Sequence, residues 1–321
     1  MLLTKLYRSI GNLLSPSGVK ARLTILIYHR VLEKEDSIFS EEVTTVRFEK
    51  QMLLLKHNFN VLSLPSAIER LMIGTLPARS ICITFDDGYA DNVTQALPIL
   101  QRHKLSATFF IATAYLNGGR MFNDTVIEAI RNCPHSQIDL TTIGLGRHDI
   151  TSPPAKRAAI NKILRQVKYL HQGEREYTVM QLSEMITDTP LPNNLMMTSD
   201  QLKSLYNTGM EIGGHTAHHP IIANLEESIV RKEIVEGKEF LESIIGEKIR
   251  FFAYPNGKPG IDFLSNQTSI VQDLGFEAAV STQPGSATIS SDIYQLPRFA
   301  PWRPGTKFYI PEIVANLRHK V

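Results

Sequence analysis

Short apolar runs recur along the chain at 23–28, 61–64, 80–85, 106–112, 210–213, 250–254, 277–282 and 294–299. Helix-like stretches lie between them at 48–56, 93–103, 226–245 and 268–274. This alternation predicts a mainly parallel sheet, open or closed, because parallel neighbours need a long crossover that a helix supplies. The run Ser80–Phe85 is short, unbroken and rich in β-branched residues, so it reads as a strand buried on both faces. With 321 residues and an apolar fraction of 43%, the chain can build one large α/β domain or two small ones. A net charge of +2 gives no field that would draw nucleic acid. Two cysteines, Cys82 and Cys133, are too few for a disulfide framework and fit a reducing, cytoplasmic compartment.

In closed α/β barrels the chemistry gathers at the C-terminal ends of the strands. His29, Asp86 with Asp87, His215, Pro255 and Arg298 each follow a strand candidate at that end. Asp-Asp-Gly at 86–88 alone is an ordinary turn signal. Two adjacent anions at a sheet rim repel each other, however, unless a cation sits beside them. Downstream, Gly213 and Gly214 run into His215, His218, His219 and Pro220. His215 and His219 are four apart, so one helical turn would set both rings on the same side while His218 points elsewhere. Two neutral imidazoles and one carboxylate make an open His₂Asp metal site, with the second carboxylate free to act as a base on a water. Imidazole and carboxylate suit zinc, and cobalt, nickel or iron fit the same donors.

At these residues the chain resembles the polysaccharide deacetylases, the NodB-homology or carbohydrate esterase family 4 group. Thr-Phe-Asp-Asp-Gly at 84–88 and His-Thr-Ala-His-His at 215–219 match its first two motifs in order. The resemblance runs from about residue 23 to 300. It implies an irregular (β/α)7-type barrel, with Asp86 as catalytic base and Asp87, His215 and His219 holding a divalent metal ion. The third motif, Arg-x-Pro-Tyr, corresponds to the stretch 252–257, which carries Ala253 for the arginine and Asn256 for the tyrosine. Asn256 and Tyr254 then form the oxyanion and substrate side, through a backbone N–H that survives side-chain change.

The family's late histidine is missing near Arg298, and the base-orienting arginine is missing at Ala253. Tyr28, His29, Arg30 and Val31 resemble the opening of the branch that acts on poly-N-acetylglucosamine, where the acid comes from the first strand. His29 is therefore assigned as general acid and Arg298 as the partner of Asp86; a backbone-bonded histidine and a surface ion pair are the plain alternatives. The stretch 118–124 resembles exopolysaccharide-associated deacetylases, with Asn123 and Asp124 either lining the cleft or, for Asn123, capping the next helix.

The segment between the aspartates and the histidines is longer than the family minimum. The excess, about 120–197, reads as a helical insertion with basic residues Lys156, Arg157, Lys162, Arg165 and Lys168, a solvated face or a glycan-binding flank. Residues 1–22 form an amphipathic basic helix that packs on its own domain or rests on a membrane surface. The expected whole is one deacetylase domain over 1–321, cytoplasmic or peripheral to the membrane, acting on an N-acetylated glycan. The alternatives are an O-acetyl esterase or non-sugar amide hydrolase using the same site, and a glycan-binding homologue without turnover.

Overall fold

The computed structural model describes residues 2–301, 303 and 305–319. Its main sheet holds strands β1 (Leu23–Tyr28), β2 (Asn60–Val61), β3 (Ser80–Phe85), β4 (Thr108–Ile111), β7 (Glu211–Gly214), β8 (Phe251–Ala253) and β9 (Ala278–Val280). A separate antiparallel hairpin pairs β5 (Gln137–Leu140) with β6 (Gly146–Asp149). The main sheet runs β1-β3-β4-β7-β8-β9 with every pair parallel, and β2 joins the start of β3. Helices α1 (Leu2–Leu14), α2 (Thr45–Asn58), α3 (Leu64–Met72), α4 (Leu97–His103), α5 (Phe122–Asn132), α6 (Pro153–Val167), α7 (Gln172–Ile186), α8 (Ser199–Asn207), α9 (Glu227–Ile245), α10 (Ser265–Asp273) and α11 (Tyr309–Asn316) complete it.

The sheet curls until its edges meet through residues 296–299. Leu296 bridges to Val280 of β9, and Phe299 bridges to Leu26 of β1. The expected strand 294–299 is thus a 3₁₀ turn, Ile293–Gln295, followed by a short closing segment. Pro297 lies in that segment and has no N–H to extend a ladder. The expected strand 61–64 is also cut short, because Ser63 and Pro65 start α3. Helix α9 starts at Glu227 with Glu226 before it, and Asn224 sits in its own 3₁₀ turn. The capping box of Thr198 with Gln201 is present on α8.

Strand alternation divides the core. Leu23, Ile25, Cys82, Phe110, Phe251 and Ala253 belong to one cluster, and Leu26, Ile83, Phe85, Phe109 and Phe252 to the layer under the helices. Phe85 and Phe109 stack there with ring centroids 4.7 Å apart. Tyr7, Ile10 and Leu14 of α1 pack against this second cluster, so the amphipathic helix rests on its own barrel. No described helix is long and apolar enough to cross a membrane. The insertion has its own apolar cluster, including Val126, Ile130, Ile138, Ile163 and Leu182. It is not purely helical: the β5–β6 hairpin is part of it.

Helix α9 lies very close to the turn after β7. A Cβ on Gly237 would sit 2.8 Å from the carbonyl carbon and oxygen of Thr216. Gly237→Ala gains about 1 kcal/mol of helix propensity but meets backbone, an overpacking cost of roughly 1–3 kcal/mol. A net loss of stability in urea titration is expected. A gain of about 1 kcal/mol would show that the turn yields freely.

A candidate metal centre at the strand ends

Asp86 continues β3, its N–H donating to the Tyr28 carbonyl at 2.9 Å. Alternation sets Cys82, Thr84 and Asp86 on one face. Arg298, on the closing segment, meets that face. Its Nη1 and Nη2 donate to Asp86 Oδ1 and Oδ2 at 2.6 and 2.7 Å. Nη1 also donates to Thr84 Oγ1 at 3.2 Å, and Nε to the Ser281 carbonyl at 3.0 Å. Arg298 is 1% exposed. Burial pushes the Asp86 carboxyl up, but the Arg298 charge and hydrogen bonds, with His215 nearby, outweigh it and hold Asp86 below its ordinary value.

The next residue turns away. Asp87 adopts φ 76, a left-handed conformation that carries its carboxylate across the strand end towards the histidines. Oδ1 lies 3.5 Å from His215 Nε2 and 3.4 Å from His219 Nε2. The ligand atoms of Asp87, His215 and His219 all fall within 4.8 Å of one another. Asp87 Oδ1 is buried and accepts no hydrogen bond. An orphaned carboxylate oxygen facing two imidazole nitrogens is the donor set of an open metal site, so these residues fit a divalent ion. His215 Nδ1–H donates to the Ala253 carbonyl at 2.7 Å, which leaves Nε2 as the ligand atom. Burial raises the Asp87 carboxyl, but His215 and His219 pull it well below the usual carboxylate range. Burial, with the charge of His215, pushes His219 down to about 4, so its ring is neutral at pH 7.

The two histidines share a side, but not through a helical turn. Residues 215–219 form an irregular loop in which Thr216 and His219 have φ 61 and 52. Thr216 Oγ1 accepts from the His219 N–H at 3.0 Å. Glu233 of α9 receives the His218 N–H at 2.8 Å and ring Nδ1 at 2.9 Å, drawing that ring away from the centre. Glu233 had a signal in the sequence: it is the one charge in the α9 stripe Val230, Ile234, Gly237 and Leu241.

A cavity of about 320 Å³ opens over the centre, lined by His29, Arg30, Asp36, Glu42, Tyr89, Asn123, Asp124, Asn256 and Thr282 with the two aspartates and the histidines. His29 is exposed on this wall. Asn256 stands at φ 59 beside it. Tyr254 does not reach the site: its ring stacks on Phe263 at 3.8 Å and its hydroxyl donates to the Tyr294 carbonyl. The expectation failed because β8 ends at Ala253 and alternation sends the next side chain outward. Asn123 is not a cap either; α5 starts at Phe122 with Met121 before it, and Asn123 lines the cavity. Asp124 accepts from the Tyr89 hydroxyl at 3.1 Å, and burial, with the charge of Asp87, pushes it up to about 7 against the pull of Arg30.

A family model described as polysaccharide deacetylase matches residues 73–279. The protein YxkH of Bacillus subtilis (strain 168) is 21% identical over 280 residues, 87% of this chain and 71% of that one. The poly-beta-1,6-N-acetyl-D-glucosamine N-deacetylase of Staphylococcus aureus (strain MSSA476) is 33% identical over 107 residues, which is 33% of this chain and 36% of that one. Among solved structures, the deacetylase PplD of Streptococcus pyogenes in complex with acetate superposes with a TM-score of 0.61 at 18% identity, covering 92% of this chain and 98% of that one. The match spans well over half the sequence and includes both aspartates and both histidines, and the chain belongs to the polysaccharide deacetylase family.

Proposed function

We propose that this site hydrolyses the N-acetyl group of an N-acetylhexosamine unit in a glycan, with Asp87, His215 and His219 holding a divalent cation, zinc by its donors. The observation that carries the reading is the pair of neighbouring carboxylates held in opposite ways. Asp86 is locked to Arg298, and Asp87 offers an unpaired oxygen to two imidazoles. A bound cation supplies Lewis acidity, lowering the pKa of a water and polarising the acetyl carbonyl.

The chain's own groups then divide the proton work. Asp86, kept ionised by Arg298, takes the proton of the attacking water. The backbone N–H at Asn256 donates to the carbonyl oxygen as it gains charge. His29 gives a proton to the departing amine as the C–N bond breaks, so acetate and a free amino sugar leave. The staphylococcal relative, by its name, acts on a poly-N-acetylglucosamine, which supports N-acetylglucosamine as the unit.

Acetate release from N-acetylglucosamine oligomers should disappear with chelator and return with added zinc. Asp87→Ala should lower bound metal in elemental analysis. Asp86→Asn should keep the metal and lose roughly 10²–10⁴-fold in turnover. Full activity in Asp86→Asn would overturn its role as base.

Arg298→Met leaves Asp86 buried without its cation, at a cost of roughly 3–5 kcal/mol at pH 7. The pH dependence has a definite sign. In the parent protein the folded pKa of Asp86 is depressed, so its contribution is present above about 4 and lost as pH falls through the depressed value. In the variant, burial alone raises that pKa, so stability falls as pH rises. Urea titrations of both proteins should therefore diverge from pH 4 to 7. A gap independent of pH counts against the pair as described.

A further inference from the structure

A second cavity, about 190 Å³, shares Asp87, Asn123, His219 and Asn256 with the first and extends over the insertion to Lys168 and Arg175. Arg175, on α7, is 5% exposed. Its Nε has no hydrogen-bond partner. Among the described residues its guanidinium makes one hydrogen bond, a long contact from Nη1 to the Lys168 carbonyl at 3.5 Å, and it lies over the Phe122 ring at 4.4 Å. Among the described residues it forms no ion pair, and the adjacent Glu176 takes its hydrogen bond from Gln172 instead. Burial lowers the Arg175 pKa more than Tyr115 and Glu176 raise it. A buried guanidinium normally meets a carboxylate or several carbonyls, because leaving its donors unmet costs free energy. Stacking on Phe122 offsets only part of that cost.

We propose that Arg175 and Lys168 form a subsite for an anionic group, a carboxylate or a phosphate ester, on the sugar next to the one being deacetylated. The inference rests on the deacetylase reading and narrows its substrate to an acidic glycan. The planar fork of Arg175 suits two oxygens of either group, and Lys168 adds a charge at the cavity wall. Because His219, Asp87 and Asn256 face both cavities, a glycan with its acetyl group at the metal centre would place a neighbouring unit against Arg175.

The test compares acetate release from three oligomers of one length: neutral N-acetylglucosamine, one alternating with glucuronate, and one carrying phosphate esters. The parent enzyme should have the lowest KM on an acidic oligomer, with a preference that shrinks as salt rises. The glucuronate and phosphate arms identify which anion it is. In Arg175→Gln, KM on that oligomer should rise roughly 10- to 100-fold more than on the neutral one, the range of a lost charged hydrogen bond. Arg175→Lys should restore part, and the partly exposed Lys168→Gln should repeat the shift in smaller measure. A purely structural Arg175 would instead cut kcat on all three equally, and that result, or a parent enzyme that prefers the neutral oligomer, overturns the proposal. If no oligomer yields acetate, the deacetylase reading fails by itself. Titration calorimetry of the same oligomers then decides the subsite: tighter acidic binding lost in Arg175→Gln supports it, and equal binding in both proteins refutes it.

Discussion

One buried ion pair joins the architecture to the chemistry. Arg298 leaves the segment that closes β9 onto β1, and Asp86 directly follows β3. Burying a carboxylate and a guanidinium together costs desolvation that only close, saturated geometry offsets. Here the two Asp86 oxygens, Thr84 Oγ1 and the Ser281 carbonyl take donors from all three guanidinium nitrogens. An apolar pair of the same volume would serve closure as well. What it would not give is a carboxylate fixed in direction and kept ionised beside the cavity, the property the proposed general base requires. The position where the family carries its arginine holds Ala253, whose carbonyl orients His215 instead. The cation reaches Asp86 from another part of the barrel.

Backbone strain is concentrated at the same rim. Seven non-glycine residues have positive φ among those described, and Asp87, Thr216, His219 and Asn256 are four of them. Such conformations cost roughly 1–3 kcal/mol each and persist only where the surroundings impose them. Thr216 is the costliest by type, being β-branched. Its loop is imposed from outside, by Glu233 gripping His218 and by Gly237 letting α9 approach the Thr216 carbonyl. The strain aims three ligand atoms at one point, which relaxed backbone would scatter.

Much of the site was legible because strand ends are legible. Ser80–Phe85 could only be a buried strand, so the carboxylates after it had to stand at a rim. His215 and His219 were paired by helical spacing, which is the right pair through the wrong geometry. Left-handed residues at Thr216 and His219 do the work, and nothing in a threonine announces a positive φ. Arg298 was legible as a cation after an apolar run, but its run is a 3₁₀ turn and a closing segment. Tyr254 was misplaced because it follows the last residue of β8, where a single step reverses which way a side chain faces, and of the two readings of Asn123 the cap failed because α5 starts two residues earlier than it needs. The β5–β6 hairpin left little trace, since only Ile138 and Leu140 alternate and Arg147 and His148 carry no apolar face.

Acids and cations are interleaved on the cleft wall: Asp36 pairs with Arg131, Arg30 acts on Glu42 and Asp124, and Lys168 and Arg175 line the adjoining cavity. Two acids of this cavity are shifted in opposite directions. Asp87 is held low by the imidazoles, whereas burial lifts Asp124 to about 7, with Asp87 adding repulsion. A carboxyl near neutrality can donate as well as accept, so Asp124 can meet a sugar hydroxyl in either sense. Positive charge at Asp87 would relieve the repulsion and draw Asp124 towards ionisation, which couples the metal centre to the polar wall through the field alone. The residues that would hold a metal and those that would read a sugar are therefore not independent. Their common term is the Asp87 carboxylate, one atom of which no other group in the described structure satisfies.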